Sequence, residues 1–374
     1  MLGSSATYEV QAMRLRLSTG IFFLCLAAWA LADGGVSPVT RQDDAYHFAS
    51  FADGRHDGNF AEWWYFNLVE PEQGVQAIFT YSVVDPTNRT GRGLSSVLAV
   101  AYVAGGPHQE GAYLPPDSFA ASRDQADVTV GEELPAGGRI EVIDDRRYRI
   151  VGTVAGAHSI AWNLVYTRQG DSWFAADRRH VGRLPWEQMS WLVYMPSASV
   201  SGTMTVDDRV YRLRGARGYH DHNWGEWIPG IVTWNWAQYS GPRVRVAMGD
   251  FPRVHEGTVG VDFGGRRTVF GKSQYRLTHS AWRFDAVNKC WFPAVSRLRA
   301  ESESLALDVR FKALDTVPIV PPLDLPILPL VYEQTADITG TLWEKTPQGE
   351  WRERTSFAGT GFKEYTSLTT VPRQ

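Results

Sequence analysis

The sequence predicts an all-β protein built from two tandem antiparallel β-barrel domains. Three observations carry that prediction. From residue 45 onward, strand-length runs rich in β-branched and aromatic residues follow one another. The runs are separated by short turn signals, Gly or paired Asp. No long stretch carries a helical period.

In order, the runs are EWWYFNLVE (62–70), VQAIFTYSVV (75–84) and LSSVLAVAYVA (94–104). RIEVIDDRRYRIVGTV (139–154) reads as a hairpin turning at Asp144-Asp145, and HSIAWNLVYTR (158–168) continues the sheet. Residues 198–224 alternate on both sides of Asp207-Asp208, which predicts a second hairpin. Further strands are expected at 231–240, 243–251, 259–271, 273–284, 305–314, 336–345 and 356–366. This exceeds one small barrel, and two barrels of about 150 to 180 residues each fit, meeting near 200–230. No internal repeat is strong enough to prove duplication. VPIVPPLDLPILPLVY (317–332) is apolar but proline-laden, so it is expected outside any interior strand, as a packed loop or as an apolar lip touching a membrane.

The N-terminus reads as an export signal. Arg14 and Arg16 precede an apolar run, 20–32, that is short for a spanning helix. It ends in Ala30-Leu31-Ala32, so cleavage is expected before Asp33. Met13 is an alternative start, and an uncleaved membrane anchor is the runner-up. The mature chain is then secreted or periplasmic. It retains one cysteine, Cys290, which forms no intrachain disulfide and belongs to no CxxC metal knuckle. A formal charge of −4 gives no reason to expect nucleic acid as a partner. No G-x-S-x-G motif and no βα alternation support a serine hydrolase.

The chain has 15 Trp, and Trp173, Trp186, Trp191, Trp224, Trp227, Trp234 and Trp236 crowd one region. They either fill β cores or line a large apolar cavity. Within this region GYHDHNWGEW (218–227) holds the densest chemistry. On a strand His220 and His222 share a face, and with Glu226 and a distant His255 they form one candidate metal set. Asn223-Trp224-Gly225 looks like a turn, however, which disfavours that reading. In the preferred reading Asp221 is a carboxyl kept protonated by apolar surroundings, His222 fixes it or relays its proton, and Trp224 steadies a cation. Those are the parts needed to protonate an unactivated alkene. Asp250, in MGDF, is a second candidate acid.

EWWY (62–65), RGYHDHNWG (217–225), WNWAQ (234–238) and GTGFKEYT (359–366) together resemble the carotenoid 1,2-hydratase (hydroxyneurosporene synthase) family. Its lipocalin-like relatives include terpenoid cyclases and Diels–Alderases. The resemblance runs in order over residues 45–368. It implies two lipocalin-like barrels, at 45–225 and 226–370, after a signal peptide (1–32) and a linker (33–44). It further implies an apolar polyene or terpenoid substrate and neither metal nor organic cofactor. Carried over position by position, the family's second histidine and its tryptophan fall on His222 and Trp224. Where the family has Tyr-x-Asp on a following strand, this chain reads Met248-Gly249-Asp250.

The expected catalytic set is therefore Asp221, His222, Trp224 and Asp250. Trp63, Trp64, Tyr65, His220, Trp234, Trp236 and Gln238 are expected to line the substrate site. The expected reaction is hydration of a C=C bond or cyclisation triggered by protonation. A non-catalytic carrier of apolar molecules and a pericyclase without acid chemistry are the alternatives.

Overall fold

The computed structural model describes residues 38–131, 136–228, 232–320 and 330–367. The expected signal peptide lies outside the described residues. The described chain is all-β, and its strands form two curled antiparallel sheets that make up two lipocalin-like barrel domains.

A 3-10 turn (Arg41–Asp44) and a single helical turn (Phe48–Phe51) precede the first sheet. That sheet contains β1 (Phe60–Glu70), β2 (Val75–Val84), β3 (Leu94–Val103), β4 (Gly106–Leu114), β5 (Phe119–Ala121) and β6 (Val128–Val130). It continues with β7 (Gly137–Asp144), β8 (Arg147–Ala155), β9 (Ser159–Arg168), β10 (Trp173–His180), β11 (Gln188–Val206) and β12 (Arg209–Glu226). Its order is β4-β3-β2-β1-β12-β11-β9-β8-β7-β6-β5, with β10 paired to β11, so β1 and β12 sit in the middle. The sheet curls until β4 packs against β8.

The second sheet holds β13 (Asn235–Ser240), β14 (Val244–Phe251), β15 (Glu256–Phe263), β16 (Arg266–Gly271) and β17 (Tyr275–Asp285). β18 (Cys290–Glu301), β19 (Leu305–Ile319), β20 (Leu330–Lys345) and β21 (Trp351–Ser367) complete it. Its order is β16-β15-β14-β13-β21-β20-β19-β18-β17.

Five strands, β4, β5, β6, β10 and β18, were not expected. β4 (GPHQEGAYL) and β10 (WFAADRRH) are too polar to read as strands, and both are peripheral to the sheet. The proline-laden segment was expected outside any interior strand, and its two ends belong to β19 and β20. Val317, Pro318 and Ile319 pair with Glu333, Tyr332 and Val331. Pro318 is tolerated there because β18 leaves β19 after Lys312, so the proline needs no donor on that side. Residues 321–329 lie outside the described residues.

Period-2 alternation places three sets of side chains. One fills the first barrel, including Phe66, Tyr81, Tyr148, Trp162 and Tyr166. Another fills the second barrel, including Met248, Phe270, Leu298 and Phe311. A third joins the sheets: Tyr65, Tyr102, Trp191 and Tyr219 from the first pack with Trp236, Ala247 and Phe362 from the second. Tyr102 also donates to the Glu333 carbonyl at 3.2 Å. β1 and β12 are buried on both faces, so each contributes to two different environments.

Candidate active site

The GYHDHNWGE stretch is the last half of β12, between β1 and β11. The expected turn at Asn223-Trp224-Gly225 does not form: these residues pair with Trp63, Glu62 and Ala61. Gly225 is needed for close approach, since a Cβ there would meet the Gln188 carbonyl oxygen of β11. As a continuous strand, β12 sends His220, His222 and Trp224 into the first barrel. Tyr219, Asp221 and Asn223 point to the second sheet. The expected relay from Asp221 through His222 to a Trp224 wall is therefore overturned: sequence neighbours on a strand face opposite ways.

Inside the first barrel the two histidines are fully buried against two carboxylates. His220 is bonded through Nε2 to Asp44 Oδ2 (3.0 Å) and through Nδ1 to the Tyr65 carbonyl (2.9 Å). Its ring stacks on Phe66 at 3.9 Å. His222 Nε2 lies 2.9 Å from Glu62 Oε1, and its Nδ1 lies 3.2 Å from Asp44 Oδ1, an ion-pair distance without hydrogen-bond alignment. Trp64 stacks on His222 and donates to the Asp44 carbonyl, while Trp224 stacks on His47 at 3.9 Å. The His47 amide in turn donates to Glu62. Burial alone would raise the Asp44 carboxyl, but the charges and hydrogen bonds of His220 and His222 outweigh it and hold it at about 2. Burial likewise pushes His222 down, and its bonds to Asp44 and Glu62 reverse that, raising it. This is a compensated charge network, in which Trp64 and Trp224 flank His222 and Phe66 covers His220.

Asp44 and Glu62 were missed by sequence reasoning. Asp44 fell in the expected linker, yet it and Ala45 are buried. Glu62 opens the quoted EWWY motif and faces inward with Trp64. The β1 period could have identified it; nothing local could have identified Asp44.

Between the sheets the other face of β12 borders a small cavity of about 40 Å³. Trp63, Tyr65, Trp191, Asp221, Asn223, Trp234, Asn235, Trp236 and Glu364 are on its wall. Asp221 accepts from Trp191 Nε1 (2.8 Å), Tyr219 Oη (2.7 Å) and Asn223 Nδ2 (3.2 Å). Burial pushes its carboxyl up to about 7; the Tyr219 and Trp191 hydrogen bonds and the charge of His220 pull it back, while the charge of Glu364 adds to the rise. Glu364 accepts from Trp234 Nε1 at 2.7 Å. It pairs across the ladder with Glu333 on β20. Burial raises both glutamates, and the charge of Glu364 raises Glu333 further, while the Glu333 hydrogen bond lowers Glu364. The two carboxyls therefore titrate as a pair, and both are held above the usual carboxylate range. Tyr65 Oη and Asn235 Oδ1 are buried there without an aligned partner among the described residues. A cavity of this size holds a water, and such orphaned atoms are what a water satisfies.

The large apolar cavity expected from the tryptophan crowd is thus a narrow polar-floored slot. Trp63 and Trp234 are half-buried at its rim beside Trp227, and Trp191 and Trp236 are buried within it. Gln238 lies buried between the sheets, bonded to Asn67. Asp250 faces the second barrel instead, where it is paired with Lys272 and accepts from Tyr275 (2.8 Å) and Asn235 (3.2 Å). The structure does not bring Asp250 together with Asp221. Glu333 and Glu364 were also missed, although GTGFKEYT had been singled out. Its alternation sends Lys363 and Glu364 to opposite faces.

The candidate metal set, disfavoured from the sequence, does not assemble. Glu226 groups with Asp53 and His56, and His255 is an exposed turn residue. His222 does approach His47 and Glu62 closely enough for shared coordination. The hydrogen bonds already described account for that grouping.

No family model and no curated protein matches this chain. Solved structures do. A candidate AttH from Nitrosomonas europaea aligns with TM-score 0.62 and 13% identity, over 90% of this chain and 98% of that one. Kievitone hydratase from Nectria haematococca aligns with TM-score 0.61 and 14% identity, over 90% and 95%. CghA aligns with TM-score 0.57 and 14% identity, over 84% and 90%. At these identities the likeness is one of fold: this chain has the two-barrel lipocalin-like architecture that a hydratase also uses.

Proposed function

We propose that this chain is an exported enzyme that protonates a carbon–carbon double bond of an apolar polyene or terpenoid, with Asp221 as the acid, leading to hydration or cyclisation. The observation that supports this most is a buried carboxyl raised to about 7, on the wall of an aromatic-lined slot that it shares with Glu364. The Asp221 O–H bond breaks and its proton joins one alkene carbon. The cation left on the other carbon faces tryptophan rings. Water then attacks that carbon and gives a proton to Glu364, or an internal double bond closes a ring and the cation so formed loses a C–H proton to Glu364. Glu364 and Asp221 re-equilibrate their protons through water.

The slot is far smaller than a terpenoid, whose pockets usually span about 300 Å³ or more. Entry therefore requires Trp63 and Trp234 to swing from the rim. The motif resemblance to the carotenoid hydratases, and the name of kievitone hydratase as a neighbour in fold, favour hydration by analogy alone. The carrier alternative finds less support in the first barrel, where Phe66, Tyr81, Tyr148, Trp162 and Tyr166 belong to one packed core.

The test is incubation in D2O with an acyclic terpenoid alkene, a linear polyene and kievitone, followed by mass spectrometry, for wild type and Asp221→Asn. Deuterium in product from wild type only supports the reading. Tryptophan quenching on binding, with every compound recovered unchanged and free of deuterium, supports a carrier instead.

A further inference from the structure

The strongest cluster outside the slot lies on the surface of the first barrel. His108 comes from edge strand β4, His158 from the turn between β8 and β9, and Asp207 from the turn between β11 and β12. Their candidate ligand atoms all lie within 4.8 Å of one another. His158 Nδ1 is 3.0 Å from Asp207 Oδ2, and the two imidazole rings are 3.8 Å apart between centroids.

The backbone holds this arrangement in place. The Ser159 amide donates to Asp207 Oδ1 at 2.9 Å, leaving Oδ2 toward the histidines. The Asp207 amide donates to the Ser159 carbonyl, which ties the two turns together. Glu110, also on β4, accepts from the His158 amide at 2.7 Å, which ties them to the edge strand. A surface ion pair between His158 and Asp207 explains two of the residues and is worth little. It does not explain His108, whose ring nitrogens bond to no protein group among the described residues while its ring lies against a second imidazole. Two imidazoles and a carboxylate converging from three elements, with one side open to water, form the usual donor set for zinc. Zinc bonds of about 2.0–2.2 Å would place ligand atoms roughly 3.3 Å apart, which small side-chain rotations supply here.

We propose that His108, His158 and Asp207 bind one zinc-type divalent ion that staples edge strand β4 to the two turns and so closes the first barrel. The site is independent of Asp221 and of the reaction proposed there. Its ion is structural: it bridges the segment where β4 meets β8, the seam at which the curled sheet closes on itself.

The full chain, carrying no histidine tag, is stripped with chelator and titrated with Zn2+ by calorimetry. Co2+ is followed separately by visible absorption, and Mg2+ serves as the oxygen-preferring control. One Zn2+ per chain is expected, with at least tenfold weaker binding in His108→Ala and in Asp207→Asn. The Zn2+-dependent rise in melting temperature should vanish in both. Equal binding by wild type and both variants would place the ion elsewhere and overturn the proposal. So would the absence of saturable binding by wild type. Both variants change surface side chains; circular dichroism checks that they fold, and His108→Gln replaces any that does not.

Discussion

The two faces of β12 differ in one respect that organises the molecule. On the inner face, His220 and His222 meet Asp44 and Glu62, and each buried charge has an opposite charge in contact. On the outer face, Asp221 meets neutral donors and shares its slot with Glu364, so no cation among the described residues is in contact with it. Both faces are buried equally. The difference teaches that burial by itself does not make a reactive carboxyl. Desolvation raises Asp44 and Asp221 alike, and the partner decides which one ends at about 2 and which at about 7.

The comparison can be broken most forcefully at Asp44. Asp44→Asn leaves two buried histidines short of a counter-charge and should destabilise by about 3–5 kcal/mol, the range for breaking a buried pair. Urea denaturation at pH 7 measures this, and a loss under 1 kcal/mol would show the network to be inert.

Asp221→Asn should behave in the opposite way on stability while abolishing proton transfer. The folded Asp221 binds its proton more tightly than the unfolded chain does, so wild type loses stability as pH rises from 3.8 through about 7. The variant escapes that loss and should gain on wild type by up to roughly 4 kcal/mol at pH 8, with little gain at pH 4. Parallel urea curves at both pH values decide it; a gain independent of pH would mean that Asp221 is ionised throughout. Any protonation activity should fall as pH rises above about 7.

Gly249 sharpens the outer face. A Cβ at this position would meet the Trp191 ring at 2.7 Å. Gly249→Ala should cost about 1–3 kcal/mol by overpacking and pull the Trp191 indole from Asp221, raising the Asp221 pKa further. Denaturation and the pH profile report the two effects separately. The smallest effect is expected at His47, which is partly exposed and stacks on Trp224. His47→Ala should cost about 0.5–1.5 kcal/mol, the worth of an aromatic pair, and leave the Asp221 titration unchanged; a shift in that titration would mean that the two faces communicate.

Much of the fold was legible because alternation and turn residues are local signals. The run 75–84 coincides with β2, and Asp207-Asp208 does mark the β11–β12 turn. β4 and β10 were not legible because peripheral strands need no apolar face. At the site, the same period that reveals strands already separates Asp221 from His222. Reading them as a relay applied sequence proximity where strand geometry forbids it. Asp44 lies 176 residues from His220, and no local pattern links them.

The sequence by itself determined the all-β class, most strand positions and the crowding of acids, histidines and tryptophans near β12, because each follows from local composition and period. Only the tertiary structure decided which of those groups are compensated. That depends on long-range register: β1 beside β12 brings Glu62 to His222, the N-terminal turn brings Asp44 to both histidines, and the second sheet brings Glu364 to the Asp221 slot. A carboxyl's charge state is set by what surrounds it within a few ångströms, and those surroundings come from distant parts of the chain, such as Asp44 and His220, 176 residues apart.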